Sequence, residues 1–323
     1  MTIHRTMHAV RIRSFGGPDV VEIAEIDVPQ PGDNELLLKV EAASLNPVDW
    51  KIRSGKYPLV GQDKLPYVLG RDFSGTVVLG SATDTALTEG TLVHGLLGIE
   101  RGSFAQYLVA RLDEVARVPA ALDRLAAAAV PLAGLTAWQG LFDQGGLESG
   151  QRVLIHAGAG GVGHFAVQFA RACGATVIAT ASSDDLAFVR SLGADEVIDY
   201  KKERFEDKVR DVDLVYDLIG GETQERSWSV LKRGGILVST LAEPSQETAR
   251  AHEVRATRYT AASNAGQLRA IDALIVAGQV RPLVSRTYAL GNFKDALHSL
   301  EQGHGSGKSV FDLASPITGV AAS

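Results

Sequence analysis

The 323-residue chain has one cysteine, Cys173, which excludes an internal disulfide and any zinc site built from several thiolates. That residue lies among Phe169, Ala170 and Ala172 and reads as a small buried thiol, not a reactive one. Long hydrophobic runs are missing too. The longest apolar tract, around Leu125 to Leu135, contains Pro131 and Gly134 and is too short to span a bilayer. The opening MTIHRTMHAV has no apolar signal core, so a cytoplasmic location and no membrane partner are expected. Lys and Arg number 32 against 38 Asp and Glu, a net charge of −6, and no block of like charge stands out. No nucleic-acid partner is expected. The eight histidines are dispersed without metal-ligand spacing, and neither an internal repeat nor a low-complexity linker is visible.

What is present suits a globular chain long enough for two domains. From residue 7 to about 118, short apolar runs (HAVRIRSF, VVEIAEIDV, ELLLKVEAASL, SGTVVLG, TLVHGLLG, FAQYLVA, EVARVP) are separated by Gly, Pro, Asn and Asp, the spacing of a β-rich barrel or sandwich. The Ala run 126–129 reads as helix leading into PLAGLTAW. From Val153 onward, strands (VLIHA, ATVIATA, EVIDY, VDLVYDLI, GGILVST) alternate with helices, which implies a parallel sheet covered on both faces. A mixed segment follows, and residues 264–278 read as one more amphipathic helix. The last forty residues revert to strand, helix and strand, and are expected to fold back onto the N-terminal half. The resulting division is 1–128 with 279–323 for the β-rich domain and 129–278 for the α/β domain.

The most specific local signal is VLIHAGAGGVG at 153–163, an apolar strand running straight into a glycine turn that opens a helix. Gly158, Gly160 and Gly163 fill the slots of G-x-G-x-x-G, in the strand–turn–helix order that gives the pattern its meaning. Gly158 permits a tight turn, Gly160 close approach to a pyrophosphate, and Gly163 close packing of helix on strand. With Ala159, Gly161 and Val162 between them, these residues are the expected dinucleotide cradle at a helix N-terminus. A second glycine-rich stretch, GHGSGKS at 303–309, is not a P-loop. Gln302 stands where the first glycine should be, and the order of elements is reversed. It reads as a turn with an exposed Lys308.

Taken in order, AVRIRSFGGPDV (9–20), NPVDWKIRSGKYP (46–58), LGRDFSG (69–75), GSFAQY (102–107), PLAGLTAWQGLF (131–142), HAGAGGVG (156–163), LGADEVIDY (192–200) and DLIGG (217–221) resemble the medium-chain dehydrogenase/reductase superfamily. Within it, the chain is similar to the zinc-free quinone oxidoreductases that include zeta-crystallin. The resemblance implies an α/β fold, with a Rossmann doubly wound parallel sheet domain and a β-rich GroES-like barrel domain formed by the N-terminal half and the returning C-terminus. Zinc-dependent relatives place Cys where this chain has Asn46 and a His-Glu pair where it has Arg71 and Asp72, so no zinc is expected. Lacking a Lewis acid for an alkoxide, the chain is better suited to reducing an already electrophilic quinone or α,β-unsaturated carbonyl compound.

The resemblance also suggests roles for single residues. Asn46 matches a position near nicotinamide and substrate, while Asn46-Pro47 reads equally as an N-cap and N1 proline opening the helix VDWKIRS. Tyr57 matches a substrate-side phenol that could stabilise enolate charge, or it is a loop aromatic over the barrel mouth. Lys51 stands where quinone reductases often have Tyr; it either faces the pocket or lies on a solvated helix face near Asp49 or Glu41. Asp49 and Arg53, four apart, could pair on the helix surface. Thr136 matches a residue beside the nicotinamide, and otherwise caps a helix from a preceding turn. The second Rossmann strand ends at Ser182 and Ser183 without the acidic residue that favours NAD, and Tyr200 matches a 2′-phosphate contact. NADPH is the expected cofactor, with NADH open; Ser182 and Asp185 also fit a capping box. A homodimer through edge pairing of Rossmann sheets is implied by resemblance only. The alternatives are a narrow-specificity enoyl reductase of specialised metabolism and a catalytically idle, crystallin-like NADPH-binding protein. A methyltransferase would leave the β-rich half unexplained.

Overall fold

The computed structural model describes residues 5–81, 84–303 and 305–314, which form two compact units. The first comprises the described residues within 1–132, 262–276 and 282–323. Its main sheet runs in the order Val284–Ala289, Lys308–Asp312, Glu35–Ser44, Asp72–Leu79, Leu92–Leu96, Val115–Arg117, and Tyr107–Arg111 also pairs with Glu35–Ser44. A smaller sheet joins Val21–Asp27, Thr6–Ile12 and Tyr67–Val68. The core between these strands includes Leu36, Leu38, Phe73, Phe104 and Phe311, with Phe104 edge-on to Phe311 at 4.9 Å. The returning tail is a sheet member, because Lys308–Asp312 lies antiparallel to Glu35–Ser44 with Val310 opposite Ser44.

The second unit comprises residues 133–261 and 277–281. Its six parallel strands run in the order Glu196–Asp199, Thr176–Ala181, Arg152–Ile155, Val212–Asp217, Leu231–Ser239, Arg255–Arg258, the 3-2-1-4-5-6 arrangement of a Rossmann sheet. The central runs VLI and VIATA are buried throughout, as strands covered on both faces require. The helix Gly163–Cys173 lays its apolar face on this sheet and ends at Gly174, whose φ of +85° supplies the left-handed cap. Cys173 is half-buried, not buried, and its thiol points to the Leu147 carbonyl at 3.8 Å. Among the described residues no helix is long and apolar enough to cross a membrane.

Two sequence expectations change. The helix Ala265–Val276 belongs to the first unit, not to the Rossmann half, and the break falls after Leu132 and not after residue 128. The helix is held by a buried contact, with His94 Nε2 and Asp272 Oδ2 3.1 Å apart and His94 Nδ1 3.1 Å from the Ala127 carbonyl. The sixth parallel strand, Arg255–Arg258, lies in the segment read as mixed. Its sequence RATR is polar because it is an edge strand, paired within the chain only to Leu231–Ser239.

Candidate functional site

In the second unit, the first strand of the Rossmann order (Arg152–Ile155) and the fourth (Val212–Asp217) are neighbours, so the switch point where such sheets bind ligands lies at their carboxyl ends. The glycine turn starts there. Ala157 takes φ +55°, and the turn is tied back by Gly158 N–H to the Thr180 carbonyl and Gly160 N–H to the Ala157 carbonyl, both at 2.9 Å. A Cβ on Gly163 would sit 2.0 Å from the Ala157 oxygen, and one on Gly158 2.9 Å from the Ala179 side chain. Gly160 is different, since its Cβ would meet only the Ala157 oxygen at 3.3 Å. Gly158 and Gly163 are thus required by packing, whereas Gly160 keeps a face open. The N–H groups of His164 and Phe165 already donate to the carbonyls of Gly160 and Val162. Those of Gly161, Val162 and Gly163 engage no acceptor among the described residues, which leaves three adjacent donors at a helix N-terminus for a phosphate.

At the end of the second strand, Ser182 donates to Asp185 at 2.6 Å instead of capping the backbone, so the expected capping box becomes a side-chain pair. Ser183 donates to Asp199, a carboxylate at the end of the third strand that also accepts from Lys201 N–H and lies 3.5 Å from Lys202 Nζ. The Ser183 hydroxyl, foremost, holds Asp199 below the usual carboxylate range. Tyr200, next in sequence, is 57% exposed. After the fourth strand, Asp217 fixes the DLIGG loop by accepting from Ile219 and Gly220 N–H, Gln224 and Ser239. His156 is buried between Thr180 and Ser227 hydroxyls, and burial pushes its pKa down to about 4.

In the first unit a buried cluster forms around Asn46. Asn46 does start the helix Pro47–Arg53, with Asp49 accepting from its backbone N–H at 2.7 Å. Its side chain, however, turns inward. The amide nitrogen donates to the Ser44 carbonyl at 3.1 Å and to Asp72 Oδ1 at 2.8 Å, and the amide oxygen accepts from Lys308 Nζ. Lys308 is not an exposed turn residue. It opens the strand Lys308–Asp312, is 4% exposed, and also donates to the Leu45 carbonyl at 2.9 Å. Asp72 takes further bonds from Ser44 at 2.8 Å and from Leu132 N–H at 3.2 Å. Burial raises the pKa of Asp49 to about 7, raises that of Asp72 and lowers that of Lys308. Asp49 is thus the carboxyl of the group that can take up a proton near neutral pH.

Two models of known families match, an alcohol dehydrogenase GroES-like domain over residues 32–120 and a zinc-binding dehydrogenase domain over 192–311. The chain is 35% identical to 2-methylene-furan-3-one reductase of Solanum lycopersicum, over 96% of this chain and 80% of that protein. The chain belongs to the medium-chain dehydrogenase/reductase superfamily. A second superfamily relative, the chloroplastic NADPH-dependent alkenal/one oxidoreductase of Arabidopsis thaliana, is 35% identical with the same 96% and 80% coverage. Among solved structures, the quinone oxidoreductase from Coxiella burnetii superposes with a TM-score of 0.88 at 37% identity, covering 95% of this chain and 99% of that one. The superfamily fold inferred from the motifs is the one observed, and these relatives make the chain an NAD(P)H-dependent oxidoreductase of the quinone and enone branch.

The superfamily's zinc does not fit here. At the positions where zinc-dependent relatives place a Cys and a His-Glu pair, Asn46 and Asp72 bond to each other, and Arg71 donates to the Leu97 carbonyl at 2.7 Å. The oxygens of Asp72 are already bonded, and the cation in contact with Asn46 is an ammonium. Among the described residues no three His, Cys, Asp or Glu side chains gather closely enough to hold a metal. The same geometry removes one expected role of Asn46, since both amide hydrogens are engaged and none remains to polarise a substrate carbonyl. Asp49 and Arg53 are buried and do not pair; Arg53 instead donates to Glu301 at 3.0 Å. Lys51 is partly exposed, with its ammonium 5.9 Å from the Trp50 ring centre. Tyr57 packs half-buried against the first unit's core. Thr136 sits inside the helix Pro131–Trp138, not in a turn ahead of it, and is buried. Sequence reasoning missed Asp72 and Lys308 as partners of Asn46, as well as Tyr216 and Tyr259. Asp72 stands in LGRDFSG, Lys308 in GHGSGKS and Tyr216 in VDLVYDLI, but nothing in those runs records the distant partner.

Proposed function

We propose that this protein is an NADPH-dependent, zinc-independent reductase of quinones or α,β-unsaturated carbonyl compounds. The observation that carries the reading is the cluster at the zinc positions, where the Asn46 amide bridges the buried Lys308 and Asp72 and no set of metal ligands is left to make a Lewis-acid site. A hydride acceptor for such a site has to be electrophilic already, as quinones and enones are. The names of the relatives from Solanum lycopersicum, Arabidopsis thaliana and Coxiella burnetii point to the same substrates.

Bound NADPH would supply the hydride. The residues present fit it: the N–H groups of Gly161, Val162 and Gly163 suit a pyrophosphate, and the open face of Gly160 admits it. Ser182, Ser183 and Tyr200 would receive the adenosine ribose. Asp199 is paired with Lys202 and hydrogen-bonded to Ser183, which reduces its repulsion of a 2′-phosphate and favours NADPH over NADH. With Asn46 engaged, polarising the acceptor oxygen falls to the Tyr57 phenol and the Lys51 ammonium, either of which can also deliver a proton. The unpaired outer side of edge strand Arg255–Arg258 supports a homodimer by sheet continuation. The test is cofactor oxidation at 340 nm, with NADPH and NADH in parallel against quinones and linear enones in the presence of EDTA. NADPH-preferring turnover unaffected by EDTA is expected. Loss of activity on chelation, or no binding of either cofactor, overturns the reading.

A further inference from the structure

The helix that begins at Pro131 does not continue as an ordinary α-helix beyond Trp138. Residues Gln139–Gln144 widen into a π-turn, with Gly145 N–H bonded to the Gly140 carbonyl five residues back at 3.0 Å. Such turns are uncommon and recur at functional sites. The cause lies in two buried phenols from elsewhere in the second unit. Tyr259 donates to the Thr136 carbonyl, and Tyr216, 2.9 Å from the same oxygen, shares a 2.6 Å hydroxyl–hydroxyl hydrogen bond with Tyr259. In an α-helix the Thr136 carbonyl would accept from the N–H of residue 140. Here the Gly140 backbone hydrogen-bonds the Tyr259 phenol, which in turn donates to the Thr136 carbonyl. The Tyr259 hydroxyl is inserted into the helical ladder, one of the recognised causes of a distorted helix.

The insertion has its own sequence requirement. A Cβ on Gly140 would lie 2.4 Å from the Tyr216 ring, so glycine at this position lets the phenol in. Position gives the device its meaning. Tyr216 is on the fourth strand, in register with Ile155 of the first, one residue from the strand end at Asp217. Tyr259 directly follows the edge strand, its N–H bonded to the Ser239 carbonyl. Both phenols therefore act at the carboxyl ends of the sheet, and they tie Thr136 to the switch point at which a dinucleotide would lie.

We propose that Tyr259 and Tyr216 are positioning residues for the cofactor, opening the helix at Thr136 and aiming that residue at the bound nicotinamide nucleotide. The inference rests on the dinucleotide-binding reading above. Its test is fluorescence titration with NADPH of wild type, Tyr259→Phe and Tyr216→Phe, each repeated in a Thr136→Val background, with thermal midpoints recorded alongside. Removing the inserted hydroxyl is expected to weaken NADPH binding roughly tenfold, the worth of about one hydrogen bond. The apparent KM for NADPH should rise more than kcat falls. In the Thr136→Val background the same Tyr→Phe change should alter Kd by less than about twofold, because the group being aimed is gone. Thr136→Ser, which keeps the hydroxyl, should restore the sensitivity. A purely structural role would lower the thermal midpoint in both backgrounds and leave Kd unmoved, and that result overturns the proposal. So does an equal loss of affinity with and without the Thr136 hydroxyl. If wild type binds neither NADPH nor NADH, the dinucleotide reading itself fails, and the inference fails with it.

Discussion

Replacing Asp49 with Asn should make the protein more stable at alkaline pH, although Asp49 is a wholly buried, hydrogen-bonded residue. Burial, the largest cause, raises its pKa from 3.8 to about 7, against weaker lowering by the Asn46 N–H bond. The folded state therefore holds the proton more tightly than the unfolded chain. The stability this confers is fully present below about pH 4 and is lost as pH rises through 7. A difference of roughly three pKa units at about 1.36 kcal/mol each sets the ceiling near 4 kcal/mol. An asparagine side chain mimics the neutral acid. Its oxygen can accept from Asn46 N–H as Asp49 does at 2.7 Å, and the cluster keeps its balance between Asp72 and Lys308. Urea midpoints of wild type and Asp49→Asn across pH 4 to 8.5 should coincide near pH 4 and diverge in favour of the variant above pH 7, by at most about 4 kcal/mol. The slopes contributed by other groups, His156 among them, are common to both proteins and cancel in the difference. A variant less stable than wild type at pH 8, or two parallel curves, would refute the charge assignment of the cluster.

Removing the compensating cation should have the opposite effect. Lys308→Met leaves Asp72 and the carbonyls of Leu45 and Asn46 without their ammonium and should cost about 3–5 kcal/mol at pH 7, read as a fall in urea midpoint. His156, pushed down to about 4 by burial, contributes stability that is present above pH 6.5 and lost as pH falls towards 4. His156→Gln should flatten that acid limb by up to about 3 kcal/mol in the same titration. The glycines should separate by role. Gly160→Ala should leave the thermal midpoint nearly unchanged while weakening NADPH binding, whereas Gly163→Ala, with its Cβ 2.0 Å from the Ala157 oxygen, should lower both.

How much could be read from the sequence follows the distance over which each feature is determined. The glycine turn was legible because strand, turn and helix lie within some twenty residues and each glycine answers to a neighbour, Gly163 to Ala157 and Gly158 to Ala179. The alternation of strands and helices from Val153 onward was legible for the same reason. Strand Arg255–Arg258 was not, since an edge strand paired on one side need not be apolar, and RATR carries no period-two pattern. The periodicity of residues 264–278 shows a helix but not that Ala265–Val276 belongs with the first unit. Its allegiance is decided by Asp272 meeting His94, and nothing within the helix records that partner.

The site shows the same limit more sharply. Read locally, Asn46 is a helix cap, Lys308 a turn lysine and Asp49 one half of a surface pair with Arg53. All three readings use only residues a few positions away; the Asn46 cap stands, while the turn lysine and the Asp49–Arg53 pair do not survive once the sheet closes. Lys308 reaches Asn46 from 262 residues along the chain because the last strand returns beside Glu35–Ser44. That return carries Lys308 into a space holding the carboxyl groups of Asp49 and Asp72, and in doing so it engages the Asn46 oxygen while Asp72 and Ser44 take its two amide hydrogens. A cap residue thereby becomes the centre of a buried charge-balanced group, and a site that holds a metal in zinc-dependent relatives is closed without one. On the proposed reading the acceptor has to be electrophilic already, and Tyr57 and Lys51 are the residues to which its proton is assigned.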